Sequence, residues 1–193
     1  TANTMSAMAE ALGMTLIDSA TIPATHGDRI ALARESGRAV MRLLESDIRP
    51  RDILTAKAFE NALAVDMAIG GSTNTALHLP AIAHEAGLSL DLDAFVRAAA
   101  RTPQLVLLKP AGKHYPQDLH EAGGIAAVMS VLLAAGLVHG DCLTVTRRSV
   151  AENVRGRRVS DESVIHPLSS PIRATGGLAV LWGNLAPDGA IVK

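Results

Sequence analysis

Apolar residues at helical spacing run through most of the chain. Met5, Met8, Ala9 and Leu12 predict a first helix that Gly13 closes, and Leu16 to Gly27 reads as loop, with Pro23, Thr25 and His26 among its polar residues. Asp28 is placed to cap a long amphipathic helix carrying Ile30, Ala33, Ala39, Val40, Leu43 and Leu44, which Pro50 ends. Thr55 is a good N-cap for the next helix, whose Phe59, Ala62, Leu63 and Met67 recur at helical spacing up to Gly70. A fourth helix is expected from about Asn74 to Ala86, with Gly87 beyond it. Pro80 is tolerable there only in or near the first turn, so the start is expected to slip by a residue or two.

Helix and strand then alternate. Asp91 and Asp93 offer a cap for a short helix through Phe95 to Ala100, and the apolar run Gln104 to Leu108 reads as a buried strand. Pro116 suits the first position of a helix from about Gln117, interrupted at Gly123-Gly124 and resumed by Ile125, Val128, Met129, Leu132 and Leu133. Cys142 to Val145 reads as a strand, and the polar, arginine-rich stretch after it changes the pattern. Val164-Ile165, Thr175 to Gly183 and Gly189 to Val192 read as short strands separated by turns. The fold class expected is α/β: a helix-rich α/β domain over residues 1–162, then the first strands of a β-rich, barrel-like domain over residues 163–193.

Composition narrows the function classes. Of 193 residues, 48 % are hydrophobic but only 2 % aromatic, so burial must rest on Ala, Leu, Val, Ile and Met. A net charge of −1 with interspersed signs offers no basic face for nucleic acid, and no apolar run reaches membrane-spanning length. The single cysteine, Cys142, excludes an internal disulfide framework, and no signal-peptide pattern opens the chain, which fits a reducing cytoplasm. The chain starts at Thr1 without an initiator Met and stops at Lys193 inside a strand pattern, so a piece of a longer protein is expected.

The stretch with most chemistry is Ala68-Ile69-Gly70-Gly71-Ser72-Thr73-Asn74, where two helical patterns meet. Glycine can end one helix with positive φ, and Ser72, Thr73 or Asn74 can cap the next with a side-chain oxygen. The helix N-terminus so formed attracts a carboxylate or phosphate. Taken alone, the pattern favours a plain helix–helix turn, since short Gly-Gly-cap segments are common, and without a following lysine it is no phosphate loop.

The wording of this run, from Phe59-Glu60-Asn61-Ala62 through Gly70-Gly71-Ser72-Thr73-Asn74 to Leu77-His78-Leu79-Pro80-Ala81-Ile82-Ala83, resembles the dihydroxy-acid dehydratase and 6-phosphogluconate dehydratase family. Thr1-Ala2-Asn3-Thr4-Met5, Arg49 to Thr55, Asp118-Leu119-His120-Glu121-Ala122-Gly123-Gly124, His139 to Val145 and Gly183-Asn184-Leu185-Ala186-Pro187-Asp188-Gly189-Ala190 follow in the family's order, closest to its dihydroxy-acid dehydratase branch. The resemblance implies a hydro-lyase that converts a 2,3-dihydroxy acid to a 2-keto acid with an iron–sulfur cluster and Mg²⁺ as Lewis acids, and a homo-oligomer. It also implies that the cluster cysteines, the magnesium ligands and the serine base lie outside this chain, so no catalytic residue and no metal ligand is carried over, and the segment alone is expected to take up neither group and to be inactive.

Candidate site residues follow. Ser72, Thr73 and Asn74 are read as substrate-binding, with His78 one turn beyond Asn74 on roughly the same helix face; a satisfied core or interface histidine is an equal reading of His78. Thr1 and Asn3 would sit beside the cluster if the resemblance holds, or simply cap the first helix. His84-Glu85 makes no zinc helix, since His78 and His84 do not share a face and no His-Glu-x-x-His is present. His120-Glu121 either lines a cleft or ends a solvated helix. Cys142 reads as a buried small hydrophobe. Two functional classes remain: part of a dehydratase acting on a dihydroxy acid or sugar acid, or a carboxylate-binding module without chemistry.

Overall fold

The computed structural model describes residues 2–193. Its centre is α4 (Ala56–Ile69), in which eleven of fourteen residues are buried, Asn61 and Asp66 among them. Thr55 caps it as the sequence predicts, its hydroxyl accepting from the Ala58 N–H at 3.3 Å, and Gly70 ends it in the left-handed conformation, φ 56°. A helix buried on every side from Asn61 to Ile69 must be enclosed by others. Helix α1 (Ala2–Ala11), α6 (Leu92–Arg101) and α8 (Gly124–Ala134) pack on it, bringing Met8, Phe95, Ile125 and Met129 into one core with Phe59, Leu63 and Met67. Each such side chain stabilises the fold by about 1.5–3 kcal/mol on burial. Asn61 is satisfied there by clasping the backbone of His139: its Nδ2 donates to the carbonyl at 2.9 Å, and its Oδ1 accepts the N–H at 2.6 Å.

The second helix, α2 (Asp28–Glu45), departs from the expectation. Gly27, not Asp28, occupies the N-cap position, and no side chain caps the helix. Its apolar stripe is left uncovered: Ala39 alone is buried, while Ile30 and Val40 are each 62 % exposed and Leu44 73 %. Short helices α3 (Pro50–Ile53), α7 (Pro116–Glu121) and α9 (Val150–Val154) carry connecting segments. Helix α5 (Thr75–Glu85) holds Pro80 at its sixth residue rather than in its first turn, which forfeits the hydrogen bond to the Ala76 carbonyl. Leu79 and Ala83, both fully buried, tie that stretch to the core.

The fold is helix-rich and ends in two antiparallel strands, β1 (Ala179–Gly183) and β2 (Ala186–Val192), paired Ala179 to Val192, Val180 to Ile191 and Leu181 to Ala190. The strands expected at Gln104 to Leu108, Cys142 to Val145 and Val164-Ile165 are not ladders. Gln104 makes a single bridge to Arg173, and the amides of Leu105 and Val106 both donate to the Ala68 carbonyl, at 2.8 and 3.0 Å. The apolar run is buried because it closes the C-terminal end of α4, where helix carbonyls lack partners of their own. Cys142 to Val145 runs into a turn in which Thr144 accepts from Arg147 and donates to the Arg148 carbonyl. The hairpin is anchored to the helices by Gly176 N–H to Ala99 O, 2.8 Å, and Gly177 N–H to Met67 O, 3.1 Å.

Candidate functional site

The Gly70-Gly71 turn is pressed on three elements. A Cβ on Gly70 would lie 2.3 Å from Gln104 Nε2, and one on Gly71 would lie 1.8 Å from Asp66 Oδ1 and 2.9 Å from the Thr4 methyl of α1. Only glycine fits either place, so the backbone from residue 70 is held in one path. The Gly71 N–H donates to the Asp66 carbonyl at 2.9 Å, and Lys193 Nζ, at the end of the hairpin, donates to the Gly71 carbonyl at 2.7 Å.

Beyond the glycines the polar side chains divide. Ser72 is buried, and its Oγ accepts the Asn74 N–H at 3.3 Å. Thr73 is exposed and Asn74 half-buried, and their side chains have no hydrogen-bond partner among the described residues. Helix α5 therefore begins with backbone bonds, Thr75 N–H to Ser72 O at 3.0 Å and Ala76 N–H to Thr73 O at 3.2 Å, rather than with a side-chain cap from Asn74. His78 follows one turn on and is exposed, so it is not a core histidine, while the interface reading of it stands beside the binding one. The four predicted binding residues thus share one helix start, with Thr73, Asn74 and His78 able to contact a ligand and Ser72 committed to the turn.

Beneath the turn is a group the sequence reading passed over. Asp66 is fully buried, and Thr75 Oγ1 lies 2.6 Å from its Oδ2 and 2.7 Å from the Ser72 carbonyl oxygen. Asp66 Oδ1 has no partner among the described residues. Burial raises the carboxyl pKa to about 7, against the opposing pull of Thr75, of the nearby Ser72 amide and of the Lys193 ammonium. Burial also lowers the Lys193 pKa, and Asp66 pulls it the other way. The signal was available in the sequence: an acidic residue inside the otherwise apolar run Ala62 to Ile69.

Helix α1 joins this turn to a second one. Thr4 touches Gly71, while the adjacent Asn3 donates its Nδ2 to the Ala20 carbonyl at 2.7 Å. Asn3 thus holds the loop before α2 and does not cap α1; Thr1 lies outside the described residues. The same loop places the Thr21 hydroxyl 3.0 Å from His120 Nδ1, against Gly123-Gly124 at the start of α8. Glu10 supports that loop from below, accepting the Asp18 N–H at 2.9 Å and the Ala20 N–H at 2.8 Å. Burial raises Glu10 to about 7 although both amides oppose it.

No group of three His, Cys, Asp or Glu side chains able to hold a metal occurs among the described residues. Cys142 is buried, and desolvation raises its thiol pKa further. An iron–sulfur cluster needs several thiolates and Mg²⁺ needs clustered oxygen ligands, so these residues fit neither group. A cleft of about 370 Å³ between α4, α5 and α6, lined by Phe59, Leu63, Ala83, Leu88, Arg97 and Arg101 among others, includes none of Ser72 to Asn74. No helix among the described residues is long and apolar enough to cross a membrane.

Residues 1–153 match the family model described as dihydroxy-acid/6-phosphogluconate dehydratase N-terminal, and residues 163–193 match its C-terminal counterpart. Over all 193 residues the chain is 61 % identical to a dihydroxy-acid dehydratase of Moorella thermoacetica, 54 % to one of Caldicellulosiruptor saccharolyticus and 51 % to one of Pyrococcus abyssi. It spans 35 % of the length of each of these curated relatives.

Proposed function

The chain belongs to the dihydroxy-acid/6-phosphogluconate dehydratase family, and from that footing we propose that it is the part of a hydro-lyase that receives the carboxylate of a 2,3-dihydroxy acid. The observation that carries the reading is the start of α5. Gly70 and Gly71 are closely packed by Gln104, Asp66 and Thr4, and the side chains of Thr73, Asn74 and His78 have no hydrogen-bond partner among the described residues beside a helix N-terminus. A hydroxyl and an amide side chain there suit a carboxylate, as the macrodipole does.

The reaction removes a proton from C2 and hydroxide from C3, and the enol so formed tautomerises to the 2-keto acid. The role given to this segment is to bind and orient the acid; proton transfer belongs to groups outside the chain. The iron–sulfur cluster and Mg²⁺ of the whole enzyme are likewise assigned to residues outside it. The names of the relatives favour a dihydroxy-acid substrate over a sugar acid, and with it a cytoplasmic, homo-oligomeric enzyme of branched-chain amino-acid biosynthesis. A division of the chain into residues 1–162 and 163–193 accords with the separate N- and C-terminal family matches.

The test is steady-state kinetics of the full-length protein, with 2-keto acid formation as the readout and a branched-chain 2,3-dihydroxy acid set against an aldonate. Thr73→Val keeps shape and removes the hydroxyl. It is expected to raise KM about tenfold, the scale of one hydrogen bond to a charged group. An unchanged KM would remove the turn from the binding site.

A further inference from the structure

We propose that Asp66 is a positioning residue for this carboxylate-binding turn: as a neutral acid it donates to Thr75 Oγ1, and through that hydroxyl it fixes the Ser72 carbonyl and the start of α5. The proposal rests on the reading of residues 72–74 as substrate-binding.

Counting protons carries it. Thr75 Oγ1 lies within hydrogen-bond distance of two oxygens, Asp66 Oδ2 at 2.6 Å and Ser72 O at 2.7 Å. A hydroxyl has one proton to give, and a carbonyl oxygen can only accept. If Thr75 gave its proton to an ionised Asp66, two lone pairs would face each other across 2.7 Å at Ser72. With the Thr75 proton on the Ser72 carbonyl, Asp66 Oδ2 must be the donor, and every contact in the chain is satisfied. The relay then runs from carboxylic acid to hydroxyl to carbonyl, ending on the residue that also holds the Asn74 N–H.

Two further features oppose an anion. Asp66 Oδ1 sits in the space where Gly71 lacks a Cβ and has no hydrogen-bond partner among the described residues, which costs an ionised carboxylate more than a neutral one. Asp66 also lies in the last turn of α4, where the macrodipole is negative. Burial correspondingly raises its pKa to about 7. Among the described residues, Lys193 of the hairpin is the charged group acting on it, and the Ser72 amide also favours the anion; α1 contributes the Thr4 methyl and α5 the Thr75 hydroxyl. Lys193 favours the anion, so ionisation is within reach near neutral pH.

The experiment uses the full-length dehydratase that carries this segment. KM and kcat for a branched-chain 2,3-dihydroxy acid are followed from about pH 6 to about pH 8.5 in wild type, Asp66→Asn, Asp66→Ala, Thr75→Val and Thr73→Val. The protonated-carboxyl stretch is followed by infrared spectroscopy, independently of activity. Wild type should show that stretch at the acid end and lose it through about pH 7, with KM rising several-fold in step. Asp66→Asn, whose amide donates at every pH, should lack the stretch and the KM rise. Asp66→Ala and Thr75→Val should raise KM about tenfold with kcat less affected. If Asp66→Ala does not fold, the Asn and Thr75→Val variants still decide. A wild-type KM rise persisting in Asp66→Asn, or no acid stretch in wild type at low pH, overturns the neutral-donor role. Thr73→Val with unaltered KM overturns the binding reading beneath it, even where Asp66 titrates as expected.

Discussion

Two glycine pairs precede helices in this chain; one stands over the buried carboxyl of Asp66, and the other meets a loop braced by the buried carboxyl of Glu10, yet they differ in what they present. Gly70-Gly71 is followed by Ser72, Thr73 and Asn74; Gly123-Gly124 is followed by Ile125 and Ala126. The carboxyls differ in the opposite sense. Glu10, in contact with the loop against the second pair, accepts two backbone N–H groups, one on each oxygen, an arrangement made for an anion. Asp66, under the first pair, has one oxygen on a hydroxyl and one without a hydrogen-bond partner among the described residues, with the Ser72 amide nearby. Burial lifts both to about 7, so ionisation near neutrality is disfavoured at both, but the anion meets two backbone donors at Glu10 and a single hydroxyl at Asp66. A shared dipeptide and a shared pKa therefore conceal two devices: one braces a loop, and the other holds a polar surface in place.

The largest expected effect breaks the first turn. Gly71→Ala drives a methyl into Asp66 Oδ1, 1.8 Å from the ideal Cβ position, with Thr4 closing the other side. It should cost more than about 3 kcal/mol, read as a fall in the chemical-denaturation midpoint of the whole protein. Gly27→Ala, with nothing within 4 Å of its Cβ, is the control and should be near neutral. Equal losses in the two variants would mean that Gly71 is not closely packed.

Next, the two carboxyls should respond with opposite signs at about pH 8, where both are ionised. Glu10→Gln turns an amide NH₂ against the N–H of Asp18 or Ala20 and should destabilise by about 2–3 kcal/mol. Asp66→Asn removes an ill-solvated anion and should be neutral or stabilising. Losses of equal size would dissolve the distinction between the turns.

The pH dependence follows from the same groups. Both folded pKa values are raised, from 3.8 and 4.5 to about 7. The folded state therefore holds protons that the unfolded chain releases, so the stability these groups contribute is full below the unfolded values and is lost as pH rises through about 7. Each should remove about 1.4 kcal/mol per pH unit across that window. Thermal melts from about pH 4.5 to about pH 8 should show this slope in wild type and a shallower one in Asp66→Asn.

The helices were legible in the sequence because their apolar residues recur at helical spacing, and α4 most of all, because Thr55 caps it and Gly70 ends it as the pattern requires. The strands of residues 104–108 and 142–145 were misread, since a short apolar run records burial without recording what buries it: the first packs on the end of α4, the second enters a turn. For α2 the pattern gave the helix and its stripe, but a stripe does not name its cover, and Ile30, Val40 and Leu44 stand exposed. At the candidate site, Ser72, Thr73, Asn74 and His78 were legible as polar groups at a helix start. Asp66 and Glu10 were not, because their roles depend on Thr75, Ala20 and the glycines meeting them in space.

The smallest effect tests whether glycine itself carries the contrast between the turns. Gly37 lies inside α2 with nothing within 4 Å of the place a Cβ would take, and no close approach holds it there. Its cost is that of an unrestrained backbone in a helix, so Gly37→Ala should stabilise by up to about 1 kcal/mol. At Gly124, which is left-handed at φ 66° with Thr21 Oγ1 3.1 Å from the Cβ position, the same substitution should destabilise. A gain at Gly37 beside a loss at Gly124, read from paired denaturation midpoints, would assign the difference to backbone conformation and contact rather than to residue type. Two gains would mean that the second turn tolerates a side chain, and that its glycines, unlike the pair over Asp66, are not held by their surroundings.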